Sequence, residues 1–405
     1  MAKATVDDLD VGGRRVLVRV DFNVPMRDGR IVDDRRIRAS LPTIQTLRER
    51  GARVILMTHL GRPKAKPDPA LSTTPLAQRL GELLAVTVPV ATDVAGDGAR
   101  AMIAGLRDGD VGMLENVRFE PGEEANDPEF AQALASLADL YVNDAFGTAH
   151  RAHASTEGVA HLLPAASGKL MGRELEVLGG VLEHPEPPLV AVIGGAKIST
   201  KLAVLSNLID RVDTMWVGGA MASTFYRAQG FSTGTSLVED DQVDTARSLL
   251  QSASAKSGSL ELPVDVVVAP SPQAGAPTAV VTPDAIPDDQ MVVDVGPQTC
   301  ARIAADAASA GTVVWNGPLG IYEIDEFAQG TRAVARSVAD SPAFTVIGGG
   351  DVAAAIEDAG VADKIDHIST GGGATIEFLE GKVLPGVAAL SDRDAVLAAR
   401  GAVSG

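Results

Sequence analysis

The sequence has few aromatic residues, one cysteine and too little positive charge to balance its acids, and each shortage excludes a class of protein. Aromatic side chains make up 3% of the 405 residues, so the cores must be built from alanine, valine, leucine and isoleucine. The single cysteine, Cys300, excludes an internal disulfide framework and is typical of a reducing compartment. The formal net charge of −18 opposes a general affinity for nucleic acid or anionic membranes.

Long apolar segments are also missing. No apolar run approaches the roughly 18 residues that a membrane span needs, and residues 1–15 contain no apolar signal segment. We therefore expect a cytoplasmic protein without membrane or nucleic-acid partners. Nothing in the sequence signals an obligate partner chain, so we expect a monomer. The hydrophobic content of 45% is ample for buried cores.

Short β-branched segments alternate with segments of helical periodicity along the chain. Such alternation predicts βα units around parallel sheets. Helices are predicted, for example, over residues 37–50 and 74–84. The predicted strands cover residues 14–22, 52–59, 111–119 and 140–146 in the first half, and 188–195, 214–220, 264–270, 312–318, 344–350 and 366–373 in the second.

The two halves are separated by residues 168–188, which predict one connecting helix that stops at the proline-rich run from Pro185 to Pro188. The sequence thus predicts an α/β fold of two doubly wound, parallel-sheet (Rossmann-like) domains joined by a connecting helix. The first domain would span residues 1–172 and the second residues 173–390. The most acidic short segment, residues 119–130, is predicted to be a solvated loop.

Polar and cationic side chains follow the predicted strands of the first half, and one more lies at the start of the first helix. Ligands of open α/β sheets bind beyond the carboxyl ends of the strands, so these side chains predict a site for an anion. They are Asp21, Asn23, Arg36, His59, Arg62, Arg118 and Arg151. A solvated Arg62 in an ordinary strand-exit turn is an equally good interpretation of that residue taken alone.

Glycines follow the predicted strands of the second half instead. Glycine lets backbone amides approach a phosphate, and helix N-termini attract anions. Lys197 and Lys201 are four residues apart, which predicts that they share one face at the N-terminal end of a helix. The glycines are Gly194, Gly195, Gly218, Gly219, Gly317, Gly348, Gly349, Gly350, Gly371, Gly372 and Gly373.

The segment AHRAH, residues 149–153, has two interpretations. His150 and His153 could be a metal pair, but no Asp, Glu or Cys follows at ligand spacing. Two histidines in a turn are more often ordinary hydrogen-bonding residues. Arg151 between them is the better functional candidate, because a guanidinium matches phosphate and carboxylate geometry.

Gly348, Gly350 and Ala353 satisfy the G-x-G-x-x-A pattern of dinucleotide-binding sites. A dinucleotide site would also need an acidic residue at the end of the next strand, whereas residues 369–371 are Ser-Thr-Gly. The pattern therefore favours a mononucleotide phosphate, with Asp351 as a candidate Mg²⁺ ligand. An NAD-dependent oxidoreductase and a catalytically silent nucleotide-binding scaffold remain as alternatives.

Seven segments combine the strand-exit residues described above: RVDFNVP (19–25), THLGRP (58–63), LENVRF (114–119), NDAFGTAHRAHAS (143–155), GGAKISTK (194–201), WNGPLGIYE (315–323) and STGGGA (369–374). Together, in order and in spacing, they resemble the phosphoglycerate kinase family between residues 6 and 390. The resemblance implies phosphoryl transfer between 1,3-bisphosphoglycerate and ADP, giving 3-phosphoglycerate and ATP, with Mg²⁺ as cofactor. It assigns the triose to the cationic residues of the first half and the nucleotide to the second half.

The resemblance also implies individual roles. The catalytic residues would be Arg36, Lys197, Lys201, Gly350 and Gly372, with Asp21 orienting Arg36. The nucleotide would be bound by Lys201, Asn316, Glu323, Gly349, Gly350, Asp351 and Val352, with Asp351 also holding the metal. Val352 replaces the Ser or Thr that is usual in the family, so weaker nucleotide affinity is expected. The family further implies hinge closure about residues 168–188 and packing of residues 391–405 on the first domain.

Overall fold

A computed structural model describes residues 2–254 and 259–403 of the chain. The chain divides into two units, of which the first comprises Met1–Leu175 and Val383–Gly405 and the second Glu176–Lys382. Among the described residues, no helix combines the length and the apolar character that a membrane span requires.

Sixteen strands are formed within the described residues, and the seven before the connecting helix belong to the first unit. They are β1 (Arg15–Arg19), β2 (Met26–Arg27), β3 (Arg30–Ile31), β4 (Arg53–Met57), β5 (Val111–Met113), β6 (Leu140–Asn143), β7 (Ala165–Ser167), β8 (Leu189–Ile193), β9 (Thr214–Val217), β10 (Ser259–Glu261), β11 (Val266–Ala269), β12 (Ala279–Val281), β13 (Met291–Val295), β14 (Thr312–Asn316), β15 (Phe344–Gly348) and β16 (His367–Ile368).

Fifteen α-helices are described alongside them. They are α1 (Arg35–Ala39), α2 (Leu41–Glu49), α3 (Thr74–Leu84), α4 (Asp97–Ala104), α5 (Pro128–Ala135), α6 (Lys169–Glu183), α7 (Leu202–Leu208), α8 (Ala222–Ala228), α9 (Val243–Ser254), α10 (Pro297–Ser309), α11 (Gln329–Ala339), α12 (Gly350–Asp358), α13 (Gly373–Leu379), α14 (Pro385–Ala388) and α15 (Arg393–Val403). Helix α6 is the predicted connecting helix, and it ends before the proline-rich run.

The first unit is built on a five-stranded sheet in the order β5-β4-β1-β6-β7, in which all neighbouring strands are parallel. Successive side chains of a strand point to opposite faces, so Val16 and Val18 of β1 join one buried cluster while Leu17 joins the other. A sheet covered on both faces needs nearly continuous apolar strands, and the sequence of β1, RVLVR, fits this requirement except at its ends.

The second unit contains a six-stranded parallel sheet in the order β10-β9-β8-β14-β15-β16. In both sheets the first strand of the unit is central, and the winding direction reverses beside it. Ligands of doubly wound sheets bind at this switch point, which lies next to β1 in one unit and next to β8 in the other. The predicted fold class is confirmed.

Several local predictions were wrong. The segment 264–270 forms β11, but β11 pairs antiparallel with β12 and β13 in a separate three-stranded sheet. The segment 37–50 forms two helices that meet at Ser40. The acidic segment 119–130 is not simply a solvated loop, because Glu123 within it is completely buried.

The C-terminal segment of the first unit contacts residues from the start and middle of the chain. The Lys3 ammonium donates to the carbonyl of Leu390 at 2.7 Å, and Arg393 Nε donates to Asp8 Oδ1 at 3.0 Å. The Gly386 amide donates to the carbonyl of Ala149 at 2.9 Å, which ties the segment to the loop after β6. Residues 404–405 lie outside the described residues.

Candidate functional site

The end of β1 and the start of α1 place a carboxylate against a guanidinium in the first unit. Arg36 Nη1 donates to Asp21 Oδ2. The Asp21 side chain is 10% exposed and that of Arg36 is 38% exposed. The carboxylate is thus mostly enclosed by protein, while the guanidinium remains accessible to solvent. Since a guanidinium has five N–H donors in a fixed fork, this contact leaves donors of Arg36 for a ligand.

His59, which follows β4, is almost completely buried beside this pair. Its Nδ1 lies 3.1 Å from Arg19 Nη2 and 3.9 Å from Asp21 Oδ1. Burial lowers the pKa of His59 well below its usual value, and the charges of Arg19, Arg118, Arg151 and Arg36 lower it further. Because a guanidinium can only donate, Nδ1 accepts and Nε2 of the neutral ring carries the proton.

The loop after β4 is tied to two of the predicted site residues. The Gly61 amide donates to Asn23 Oδ1 at 2.9 Å, and Arg118 Nη1 donates to the Gly61 carbonyl at 2.9 Å. Arg118 is largely buried, and its Nε lies 3.1 Å from Oε1 of Glu124. Arg62, the next residue of this loop, is exposed.

Arg151 lies in the loop after β6, where its Nε donates to His150 Nε2 at 3.2 Å. His153 Nδ1 lies 3.7 Å from Glu123 Oε1. Within residues 2–254 and 259–403, no group of three or more His, Cys, Asp or Glu side chains is arranged to hold a metal ion. His150 thus contacts Arg151 itself, and His153 contacts Glu123.

The sequence-based prediction missed two buried charged residues beneath this site, Arg19 and Glu123. A signal for Arg19 was available, since it stands in an otherwise apolar strand at the centre of the predicted sheet. A buried charge is costly unless it is paired, so an arginine in such a strand indicates a partner. No comparable signal marked Glu123, because its neighbours are acidic and polar.

In the second unit, Lys201 lies against the end of the central strands. Its ammonium donates to Asn316 Oδ1, and Asn316 Nδ2 donates to the Gly348 carbonyl at 2.8 Å. Burial lowers the pKa of Lys201, while the charges of Asp351 and Glu380 oppose that change. The side chain is thus a mostly buried donor at the carboxyl ends of β14 and β15.

The prediction that Lys197 and Lys201 share a helix face was wrong. Helix α7 begins only at Leu202, and Lys201 is its N-cap. Lys197 lies in the preceding loop and is exposed. The four-residue spacing therefore does not bring the two ammonium groups onto one helical surface.

The glycines of the second unit serve two different purposes. A Cβ atom on Gly317 would lie 2.1 Å from the Gly194 carbonyl oxygen, so these two strand exits require glycine for their own backbone contact. A Cβ on Gly350 or Gly372 would meet nothing within 4 Å. Only the second kind leaves open space in front of the backbone, and Gly350 begins α12.

The other predicted nucleotide residues differ in exposure. Glu323 and Asp351 are exposed, and Asp351 lies in the first turn of α12, immediately after Gly349 and Gly350. Val352 is completely buried in the apolar core of the second unit. Its backbone is therefore the part of Val352 that remains for a ligand.

Comparison with known proteins identifies the family. The family model for phosphoglycerate kinase matches residues 6–382. The chain belongs to the phosphoglycerate kinase family. It is 56% identical over 393 residues to the phosphoglycerate kinase of Pelotomaculum thermopropionicum, and equally so to that of Moorella thermoacetica, covering 97% of this chain and 100% of each relative.

The solved structure of phosphoglycerate kinase from Coxiella burnetii is similar throughout. The TM-score is 0.87 at 43% identity, with 98% of this chain and 100% of that chain covered. As a phosphoglycerate kinase family member, the chain is an ATP-dependent phosphotransferase that acts on a carboxyl group. It catalyses a glycolytic step with ATP and ADP as nucleotide substrates, so the oxidoreductase and silent-scaffold alternatives are wrong.

Proposed function

We propose that the first unit binds the triose, that the second binds the nucleotide, and that the phosphoryl group passes in line between them. The domain bounds predicted from the sequence are residues 1–172 with 391–405 and residues 173–390, whereas residues 173–175 and 383–390 belong to the first of the two compact units. The observation that carries the proposal is the grouping of charged side chains at the strand exits of the first unit. Arg19 Nη2 lies 3.1 Å from His59 Nδ1, and Asp21, the partner of Arg36, lies 3.9 Å from the same nitrogen. Arg118 donates to the Gly61 carbonyl of the loop that follows His59 at 2.9 Å. A triose that carries both phosphate and carboxylate needs several cations in one place.

The triose would be held by residues that differ in what they donate. Arg36, Arg62, Arg118 and Arg151 offer charged N–H groups, and neutral His59 offers its Nε2–H. Asn23 shapes the Gly61 loop through its hydrogen bond, and Asp21 fixes Arg36. The proposed triose residues are Asp21, Asn23, Arg36, His59, Arg62, Arg118 and Arg151.

The nucleotide would lie at the glycine-rich strand exits of the second unit. The backbone amides of Gly349 and Gly350 at the start of α12 suit a phosphate, and Lys201 adds a buried positive charge. Glu323 would bind the ribose hydroxyls. The proposed nucleotide residues are Lys201, Asn316, Glu323, Gly349, Gly350, Asp351 and Val352.

A Mg²⁺ ion is compatible with the donors present at this site. Protein-bound Mg²⁺ often takes one or two carboxylates and fills its remaining positions with substrate phosphates and water. Asp351 is an exposed carboxylate whose charge acts on Lys201, so we assign the metal to Asp351 and the nucleotide phosphates. When bound, Mg²⁺ neutralises phosphate charge.

The transfer itself needs positioning and charge stabilisation rather than proton transfer. The 3-phosphoglycerate carboxylate is already an anion, so no general base is required. Donors aimed at the moving phosphoryl group are worth several kcal/mol in reactions of this kind. The proposed donors are Arg36, Lys197, Lys201, Gly350 and Gly372.

Reaction requires the triose oxygen to reach the terminal phosphate. We therefore propose closure about α6, which would also exclude water that hydrolyses ATP. We further propose that the protein acts as a cytoplasmic monomer and does not bind nucleic acid or membranes, in line with its single cysteine and net charge of −18.

The direct experiment measures ATP formation from ADP, Mg²⁺ and 1,3-bisphosphoglycerate. We expect turnover that a chelator abolishes and that excess Mg²⁺ restores. Folded protein that forms no ATP would contradict the proposal. Turnover that persists in the chelator would contradict the metal assignment alone.

A further inference from the structure

A short acidic turn, residues 120–126, places a fully buried carboxylate beneath the arginines of the first unit. Glu123 Oε2 accepts from the Ser155 amide at 2.9 Å, and Oε1 accepts from Ser155 Oγ at 2.6 Å. The Glu123 carbonyl accepts from the Ala154 amide at 3.0 Å. One residue of the turn thus fixes both the backbone and the side chain of the loop after β6.

Two further hydrogen bonds connect Glu123 to the proposed triose site. Ser155 Oγ accepts from Arg19 Nε at 2.8 Å, and the same guanidinium contacts His59 Nδ1 through Nη2 at 3.1 Å. All four side chains are buried. The carboxylate therefore bears on the orientation of the imidazole through Ser155 and Arg19, without reaching the ligand itself.

A second branch leads from the same carboxylate to Arg151. Glu123 Oε1 lies 3.7 Å from Nδ1 of His153, two residues beyond Arg151 in the loop. Together with the bonds to Ala154 and Ser155, this contact holds the segment that follows Arg151 from below. Loss of the carboxylate would free that segment.

Glu123 also balances part of the positive charge beneath the site. Arg19 is only 1% exposed, and an unpaired buried guanidinium is strongly unfavourable. Burial by itself would raise the pKa of Glu123, but the His153 contact, the Arg19 charge and the Ser155 hydroxyl together hold that pKa below its usual value. An ionised carboxylate thus offsets part of the repulsion among the arginines.

We propose that Glu123 is a positioning residue for triose binding. Its buried carboxylate holds Arg19, His59 and the Arg151 loop in the arrangement that receives the anionic substrate. The inference rests on the proposed assignment of the triose to the first unit. If Glu123 only stabilised the fold, its loss would weaken the binding of both substrates to a similar extent, because the whole protein would be affected.

The test is Glu123→Gln, assayed for 3-phosphoglycerate and ATP separately. The amide has the shape of the carboxylate and can still accept from the Ser155 amide. It lacks the charge, and where its NH₂ group replaces Oε1 the Ser155 hydroxyl loses the acceptor for its proton. We expect the KM for 3-phosphoglycerate to rise about tenfold or more and the KM for ATP to stay within about twofold.

The matched control is Glu120→Gln, which removes the same charge from the same acidic turn at a partly exposed position. We expect both KM values of this variant to stay within about twofold of wild type. An equal rise in the control would show that the effect is only long-range charge and would overturn the inference.

Ser155→Ala provides a second test if Glu123→Gln proves unstable. It removes the hydroxyl that joins Glu123 to Arg19, and it should raise the KM for 3-phosphoglycerate several-fold with the KM for ATP unchanged. In the double variant the two effects should not multiply, because both changes break the same connection. Independent, multiplying effects would contradict the inference.

Two results would overturn the proposal. One is a folded Glu123→Gln variant whose KM for 3-phosphoglycerate stays within about twofold of wild type, and the other is an equal rise of both KM values. Wild-type protein without turnover would overturn the proposed function as well. Normal wild-type turnover with an unchanged variant would overturn this inference alone.

Discussion

The two units have the same sheet order around their central strands, yet they prepare for anions in opposite ways. The first unit gathers guanidinium groups around His59 and balances them with the carboxylates of Asp21 and Glu123. The second unit offers the buried ammonium of Lys201 and open backbone at Gly350. Clustered guanidinium groups repel one another, so the fold must also supply carboxylates that balance their charge. Backbone amides carry no net charge, so they need only a glycine that leaves them accessible.

The difference arises at the strand exits. In the first unit, polar side chains that follow β1 extend to the loop after β4, as Asn23 Oδ1 does by accepting from the Gly61 amide at 2.9 Å. In the second unit, the exits of β8 and β14 touch backbone to backbone at Gly194 and Gly317. The same topology therefore supports two ways of binding an anion. The topology determines where the ends of the strands lie, and the residues that follow each strand determine whether side chains or backbone amides are available to a ligand.

The largest expected effect comes from removing a cation of the first unit. Arg36→Ala should lower kcat by a factor on the order of 100–1,000, because Arg36 is proposed to stabilise charge on the moving phosphoryl group. Its side chain is 38% exposed, so the fold should survive. Steady-state kinetics with circular dichroism checks both expectations.

Arg38→Ala is the control for Arg36. Arg38 lies on the same helix and forms an exposed pair with Asp34, so near-normal kinetics are expected. If Arg36→Ala changed only KM, Arg36 would act in binding and not in the transfer.

Each unit also contains a buried carboxylate with a raised pKa, and here we expect the two units to behave alike. Asp144 accepts from the amide of Leu170 at 3.0 Å near the start of α6, and Asp294 accepts from that of Gly330 at 2.6 Å near the start of α11. Burial raises the pKa of each to about 7. Each group is therefore still protonated in the folded state at pH values where it is already ionised in the unfolded chain. As the pH rises from about 4 to about 7, the free energy of unfolding falls by up to a few kcal/mol per group.

Asp144→Asn and Asp294→Asn test this expectation. Relative to wild type, each variant should gain stability between pH 5 and pH 8 when unfolding is followed by denaturant titration. Asp139→Asn is the control, since the Arg15 hydrogen bond lowers the pKa of Asp139, so Asp139 stays ionised throughout this window. A pH-independent difference for Asp144 or Asp294 would refute the raised pKa.

A smaller effect should follow from filling the open backbone of the second unit. Gly350→Ala places a methyl group where no protein atom lies within 4 Å apart from its chain neighbours and its own helix backbone, so stability should not fall. If a nucleotide phosphate approaches this amide, the KM for ATP should rise about tenfold, or roughly 1.4 kcal/mol, while the KM for 3-phosphoglycerate stays constant.

Gly180→Ala in α6 also meets no atom within 4 Å and should leave the KM for ATP unchanged. Unaltered nucleotide kinetics in Gly350→Ala would show that the ligand does not use this backbone. The contrast between side-chain and backbone recognition would then fail for the second unit.

The smallest effect concerns Glu124, whose carboxylate lies 3.1 Å from Arg118 Nε although its side chain is 62% exposed. An anionic substrate bound to Arg118, as proposed, would compete with this carboxylate for the guanidinium. Exposed pairs contribute about 0.2–1 kcal/mol, so Glu124→Gln should lower the KM for 3-phosphoglycerate by at most about fivefold. Glu120→Gln should not do so, and an increased KM in Glu124→Gln would show that Glu124 helps to position Arg118.

Local patterns predicted some elements well and others poorly. The periodicity of residues 74–84 predicted α3 because apolar spacing and a proline at the helix start act within one turn of chain. The pairing of β11 with β12 and β13 was missed, since a β-branched run looks the same in a parallel and in an antiparallel sheet. The helix start at Leu202 was also missed, because the loop before it follows contacts with distant residues such as Glu239.

The sequence by itself determined the alternation of strands and helices, the family, and which residue types stand at each strand exit. These features follow from local periodicity and from motifs that are contiguous in the chain. Only the tertiary structure decided that Arg19 and Glu123 are joined through Ser155 beneath His59, and that Gly350 faces open space while Gly317 does not. Burial and hydrogen bonding between residues that are distant in the chain depend on how the sheet is wound, and local sequence patterns do not contain that information.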